Sequence, residues 1–208
     1  MRYRDQAILS DLQRFRVMSR DDIVEIHFHD VKEKIKGCNT VLKRLREKNL
    51  IQANTKHRPY LYFPNPSTVK INSQKLNHFL AILKFYRELR EFSLPSKFEV
   101  EAKFGPTYME PDIFMIWEGN PYFVEIQRSY YSPQKMREKL NRYIRYYQSN
   151  EWQNSSWQHN PHCPVFPTLW MITDIKYPLQ FLPFRIVQSV NVVNGVHNLN
   201  IQTNTNTT

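Results

Sequence analysis

Two acids stand inside one apolar stretch, MEPDIFMIWEGNPYFVEIQRS, residues 109–129: Asp112 and Glu125. Two β-prone runs flank the turn signal Glu118-Gly119-Asn120, so the stretch predicts a β-hairpin. If Glu118-Gly119 is a two-residue turn, Trp117 faces Asn120 and position i faces position 237 minus i. Asp112 then faces Glu125. Directly opposed side chains have Cβ atoms about 5 Å apart, and like charges there repel. Gln127 lies on the same face as Glu125, two residues on, while Arg128 points the other way. Two carboxylates and an amide with no local cation predict a bound divalent ion, and oxygen ligands suit Mg²⁺ or Mn²⁺. An acid pair on a solvent-facing sheet surface would give the same pattern. Glu99 and Glu101, on one face of the preceding strand, are further ligand candidates or simply solvent-facing.

The neighbouring segments set where those acids stand. Residues 73–92 predict an amphipathic helix with Leu76, Phe79, Leu80, Leu83 and Phe92 inward. SKFEVEAKF alternates as a half-buried strand does. Ser132-Pro133 opens a helix that runs to about Ser149, with Pro in its first turn. Its inward stripe is Met136, Leu140, Tyr143 and Tyr147, and its outer face carries Lys135, Lys139 and Arg142. VFPTLWMIT, 165–173, predicts a further strand. The order α-β-β-β-α-β over residues 73–200 predicts an α/β domain with a mixed central sheet.

Pro111-Asp112 followed by Glu125-Ile126-Gln127, within that element order, resembles the PD-(D/E)xK nuclease core. The resemblance implies a restriction-endonuclease-like domain in which Asp112 and Glu125 bind Mg²⁺ or Mn²⁺ and a metal-activated water attacks a phosphodiester. It also implies an assisting glutamate on the first helix, here Glu88 or Glu91. The motif lysine is replaced by Gln127, which can orient water but cannot act as a cation or a base; Lys135 could supply the missing charge.

Residues 1–66 read differently. Helices are predicted at about Arg4–Phe15, from the Ser19–Asp22 capping box onward with Ile23 and Ile26 inward, and at about Gly37–Lys48. In the third, Val41, Leu42 and Leu45 face in, and Lys43, Arg44, Arg46 and Lys48 face out. LIQANTKHRPYLYF predicts two short strands around a basic tip, Asn54 to Arg58. Three helices and a hairpin form the layout of a winged helix-turn-helix, whose third helix enters the major groove. Between Lys36 and Arg58 there are seven basic residues and one acid, Glu47. Lys43, Arg44, Lys48, Lys56 and Arg58 are the expected phosphate contacts, with Lys139 and Arg142 adding more from the second domain. Asn39 and Thr40 could reach base edges. A charge run on a helix can be only a solvated face, but its confinement to the third helix and the hairpin, with the high total charge, favours DNA contact. His27, His29 and Cys38 lack the spacing of a zinc site.

Composition agrees with a polyanionic partner. The 208 residues carry 29 Lys and Arg against 19 Asp and Glu, a net charge of +10, which favours nucleic acid first, with an anionic membrane surface as the rival. No apolar run is long enough to span a bilayer, so no membrane partner is expected. The N-terminus lacks a signal-peptide stretch, and two distant cysteines, Cys38 and Cys163, suit a reducing cytoplasm. With 4 glycines there is no Gly-rich phosphate loop. A linker is expected at 64–74, and a frayed polar tail at 201–208.

The stretches RDQAILSDLQRFRVMSRDDIVEIHF, VLKRLREKNLI, HFLAILKFYRELR, PDIFMI and YFVEIQRS are together similar to the replication-relaxation family of plasmids, phages and integrative elements. That likeness implies an N-terminal winged helix, a nuclease-like second domain and a role around replication or mobilisation of mobile DNA. Replication or relaxase proteins would be its protein partners. The leading expectation is therefore a cytoplasmic α+β DNA-binding protein supporting plasmid or phage replication, mobilisation or its control. A Mg²⁺-dependent nuclease, with Asp112, Glu125, Gln127 and Lys135 at its centre, is the second expectation. A homodimeric transcriptional repressor is the third.

Overall fold

Ile8, Leu12 and Phe15 recur at helical spacing and are all fully buried, which turns α1 (Tyr3–Phe15) onto its core. In the computed structural model, which describes residues 1–179 and 182–204, α1 leads into β1 (Met18–Ser19) and α2 (Arg20–His27). The expected capping box is present. Asp22 N–H donates to Ser19 Oγ, and Ser19 N–H donates back to Asp22 Oδ2 at 2.9 Å. The other Asp22 oxygen accepts from Arg87 Nη1 at 2.6 Å. Next come α3 (Lys34–Glu47) and a hairpin of β2 (Ile51–Asn54) and β3 (Leu61–Pro64). β1 joins the hairpin to give a three-stranded antiparallel sheet in the order β1-β3-β2. The two-residue β1 is too short to carry an alternation pattern.

The chain forms two compact units, Met1–Arg87 and the remainder from Glu88. α4 (Leu76–Arg90) contains that boundary, while the segment at 64–74 carries no helix or strand beyond the end of β3. Along α4, Phe79 and Leu83 are buried as expected, joined by Ile82, Phe85 and Leu89. Phe92 departs from the expectation: it lies beyond the helix end and is 46% exposed.

The second unit is built on a five-stranded mixed sheet in the order β4-β5-β6-β7-β8: β4 (Lys97–Val100), β5 (Ile113–Trp117), β6 (Asn120–Ile126), β7 (Thr168–Ile172) and β8 (Ile186–Ser189). The first three strands form an antiparallel meander, and β6, β7 and β8 run parallel. A parallel neighbour requires a crossover, and α5 (Pro133–Ser149) provides it between β6 and β7. Ser132 Oγ accepts from Lys135 N–H and Pro133 follows it, so the start of α5 is fixed by its own sequence. α5 covers one sheet face through Met136, Leu140, Tyr143 and Tyr146, packed with Phe114, Phe123, Leu169 and Met171. Tyr146 takes the buried place expected for Tyr147, which stacks on Trp152 and stays half-buried.

β8 and α6 (Val192–Asn204) go beyond the expected order, as do β1 and a short 3-10 turn at Glu151–Asn154. α6 includes the first half of the expected polar tail; residues 205–208 lie outside the described residues. It lies on the sheet face opposite α5, where Gly195 approaches the buried Trp170 ring so closely that an added Cβ would stand 2.1 Å from Cζ2. That indole is also held by its Nε1–H bond to Ser189 Oγ at 2.8 Å. Gly195→Ala is therefore expected to overpack this contact and lower stability by about 1–3 kcal/mol, read as a drop in Tm. An unchanged Tm would mean that the helix and the indole are not packed as described.

Candidate functional site

The observed hairpin pairs Ile113 with Val124 and Trp117 with Asn120, the register that makes each pair sum to 237. One step outward along it stand Asp112 and Glu125. Asp112 Oδ2 accepts from Ile126 N–H at 2.7 Å, tying the acid to the opposite strand. Both acids line one cleft of about 320 Å³ with Met109, Glu110, Tyr131, Lys135, Glu138, Lys139, Arg142 and Tyr143. The two expected ligands thus share a side of the sheet.

Glu125 is only 3% exposed. An ion there must be paired and hydrogen-bonded. Tyr143 Oη–H donates to Oε1 at 2.6 Å, and Lys139 Nζ reaches Oε2 at 2.8 Å. Burial still pushes the carboxyl up to about 7; Lys139 opposes that rise and the Asp112 charge adds to it. Tyr143 is raised well above the usual phenol range by burial and then by the Glu125 charge. For Lys139, burial acts to lower the pKa, but the ion pair with Glu125 outweighs it and the net shift is upward.

A cation from α5 stands beside both Glu125 and Gln127. Lys139, expected on the outer face of that helix, turns into the cleft, with Nζ 3.4 Å from Gln127 Oε1. Gln127 is buried, and its Nε2–H donates to Ser129 O at 2.6 Å. Lys135 also lines the cleft, but its ammonium sits 3.9 Å from the centroid of the Tyr131 ring. Arg142 is exposed at the cleft margin. The signal for Lys139 was present in the sequence. It lies one turn before Tyr143 and three residues after Met136, at the edge of the apolar stripe. Tyr131 had no such signal, because it sits in the loop before α5.

The other acid candidates are elsewhere. Glu99 is exposed and paired with Lys97 at 3.1 Å, and Glu101 contributes its backbone N–H to Asp112 O at 3.0 Å. Glu88 and Glu91, at the end of α4, do not line the cleft. Among the described residues no group of three or more His, Cys, Asp and Glu side chains is arranged to hold a metal ion. Any ion at Asp112 and Glu125 would need water to complete its shell.

The first unit has a groove of its own. α3, the start of α2 and the β2–β3 hairpin enclose about 690 Å³ lined by Arg20, Asp21, Asn39, Lys43, Arg46, Arg58, Pro59, Tyr60 and Tyr62. Asn39, Lys43 and Arg58 were expected contacts; Arg20 and Arg46 join them. Arg58 is fixed in place, its guanidinium 4.5 Å from the Tyr60 centroid and donating to the Thr55 and His57 carbonyls. Lys48 and Lys56 are exposed outside this groove, and so is Thr40, whose hydroxyl bonds back to Lys36 O at 2.9 Å. Arg44 is turned to the nearly buried Asp5 at 2.6 Å, joining α3 to α1. Cys38 is no reactive thiol: burial pushes it up to about 12. Among the described residues no helix is long and apolar enough to cross a membrane.

The pKa of Glu125 carries a sign. Between its ordinary 4.5 and about 7 the folded chain holds a proton that the unfolded chain has released. Stability from this site is therefore present at low pH and falls as pH rises through that window. In metal-free buffer, a ¹³C-labelled Glu125 carboxyl should titrate near pH 7, and Lys139→Met should move the midpoint upward. A midpoint that stays put or falls would show that the ammonium does not govern this carboxylate. Comparison of the chain with protein-family models, curated proteins and solved structures finds no match.

Proposed function

We propose that this chain is a DNA-binding protein of a mobile genetic element, acting in plasmid or phage replication, mobilisation or its control. The observation that carries the reading is the basic groove of the first unit, where Arg20, Lys43, Arg46 and Arg58 stand against one acid, Asp21. Asp21 is already engaged by Arg20 at 2.7 Å. The order α1-β1-α2-α3-β2-β3 supports a winged helix-turn-helix, with α3 in the major groove and the hairpin along the backbone. Phosphate contacts from the arginines and Lys43 supply affinity that weakens with salt. Asn39, exposed at the groove, supplies an amide able to pair bidentately with adenine. The similarity of the sequence to the replication-relaxation family supports the mobile-element setting, with replication or relaxase proteins as partners.

A second reading, a PD-(D/E)xK-type nuclease, is favoured by the meeting of Asp112, Glu125 and Lys139 in one cleft. Two carboxylates with hard oxygen donors fit Mg²⁺ or Mn²⁺, and Asp112 and Glu125 would hold it. Bound there, the ion supplies Lewis-acid polarisation of a phosphoryl oxygen and acidifies water. The chain's own residues do the rest. Tyr143 fixes the rotamer of Glu125, and Asp112 is fixed by Ile126 N–H. Gln127, committed to Ser129 and Lys139, holds the lysine and not the water. Lys135 and Arg142 offer cationic contacts for the flanking phosphates.

Binding and cleavage separate experimentally. The double variant Lys43→Ala/Arg46→Ala should weaken a duplex gel shift about tenfold and flatten its salt dependence. Asp112→Ala should bind as the parent does. If the unaltered protein shifts no DNA at low salt, the DNA reading is wrong. With supercoiled plasmid and Mg²⁺ or Mn²⁺, nicking that disappears in Asp112→Ala would establish the enzyme. Binding without cleavage of duplex, single-stranded or branched DNA removes the enzyme and leaves the binder.

A further inference from the structure

Beside the acidic cleft lies a second cavity of about 490 Å³, a size typical of ligand sites, that the proposed function does not use. α5 forms one wall through Met136, Leu140 and Ile144, and Tyr177 lies opposite in the segment after β7. Its mouth carries Tyr130, which is 65% exposed, together with Arg137 and Lys176. Tyr131 lines both this cavity and the cleft. On the cleft side, Lys135 Nζ and Lys139 Nζ stand 3.9 and 5.4 Å from the Tyr131 centroid. The partition is held in place: Tyr131 N–H donates to Tyr177 Oη at 2.9 Å. Tyr177 in turn is clamped through both of its backbone groups by the Gln188 side chain, at 3.0 and 2.8 Å.

Aromatic and aliphatic walls beside a cationic rim match one chemistry. A base needs a flat apolar slot and its phosphate needs a nearby cation, and stacking on exposed tyrosines is how proteins hold unpaired bases. In a duplex the bases are stacked inside and unavailable to such a slot. Tyr131 is a wall of both cavity and cleft, so the slot lies against the same ring on whose cleft side the Lys135 ammonium stands. We propose that this cavity binds an unpaired nucleobase whose phosphate lies in the acidic cleft, so that the second unit selects single-stranded, frayed or branched DNA. The inference rests on the DNA-binding reading above and adds the class of DNA that the second unit takes.

The test uses the full chain, a short single strand carrying 2-aminopurine, and the same sequence as a blunt duplex. Tyr130→Ala removes a stacking surface at an exposed position. Asn141→Trp, also exposed on α5, fills the cavity from its lining. Each should weaken single-strand binding about tenfold, abolish the 2-aminopurine fluorescence change, and leave duplex binding within twofold. Lys43→Ala/Arg46→Ala should do the reverse. If the unaltered protein binds duplex but not single strands, or both cavity variants bind single strands as the parent does, the cavity inference fails while DNA binding stands. If the unaltered protein binds neither form, both fail together.

Discussion

A nearly fully buried carboxylate is the most demanding feature of this chain. Glu125 must be met by donors from another element, because its own strand is occupied with sheet pairing. Tyr143 and Lys139 meet it, and they can do so together only because four residues on a helix bring two side chains to one face. That requirement fixes the phase of α5. The phase is set where the helix begins, by the Ser132 cap and Pro133. It also requires the crossover from β6 to β7 to lay α5 on the Phe123 and Glu125 face of the sheet. Stripping one partner from such a pair costs about 3–5 kcal/mol, comparable to the margin of a whole domain. Sequence, helix start, sheet topology and the cleft are therefore links of one constraint.

The first unit uses acids in the same inward way. Asp22 caps α2 and accepts from Arg87, and the nearly buried Asp5 accepts from Arg44. Asp11, also buried, lies 3.1 Å from both Arg14 and His27. Each of these acids ties two elements together or closes a helix end. The consequence is electrostatic. Each inward acid is met by an arginine, Arg87, Arg44 or Arg14, while Lys43, Arg46, Lys48 and Lys56 stay exposed.

Most of this organisation was readable because it is local. The hairpin register follows from a two-residue turn at Glu118 and Gly119, both of which adopt positive φ. The capping box of α2 and the stripe on α5 follow from spacing. What escaped depended on long-range partners. β8 has only four residues, and it exists because β7 offers an open parallel edge. α6 was hidden by its Asn and Thr content, although Val192, Val196 and Leu199 recur at i, i+4 and i+7. Arg20 reaches the groove through the placement of α2, which no spacing rule reports. Lys139 and Arg44 were read as outward because charge usually faces water; each has instead a buried acid within reach.

The position of the lysine alters the electrostatics of the cleft in a definable way. A lysine on β6 would be carried by the same strand as Glu125 and would move with it. On α5 its distance to the carboxylate depends on helix–sheet packing, so the ion pair reports whether α5 is seated. The charge balance follows. Glu110, Asp112, Glu125 and Glu138 line the cleft with Lys135, Lys139 and Arg142, so its walls sum to one negative charge when Glu125 is ionised and to zero when it is protonated. A carboxyl poised near neutrality therefore makes the cleft one charge more negative as pH rises through that point.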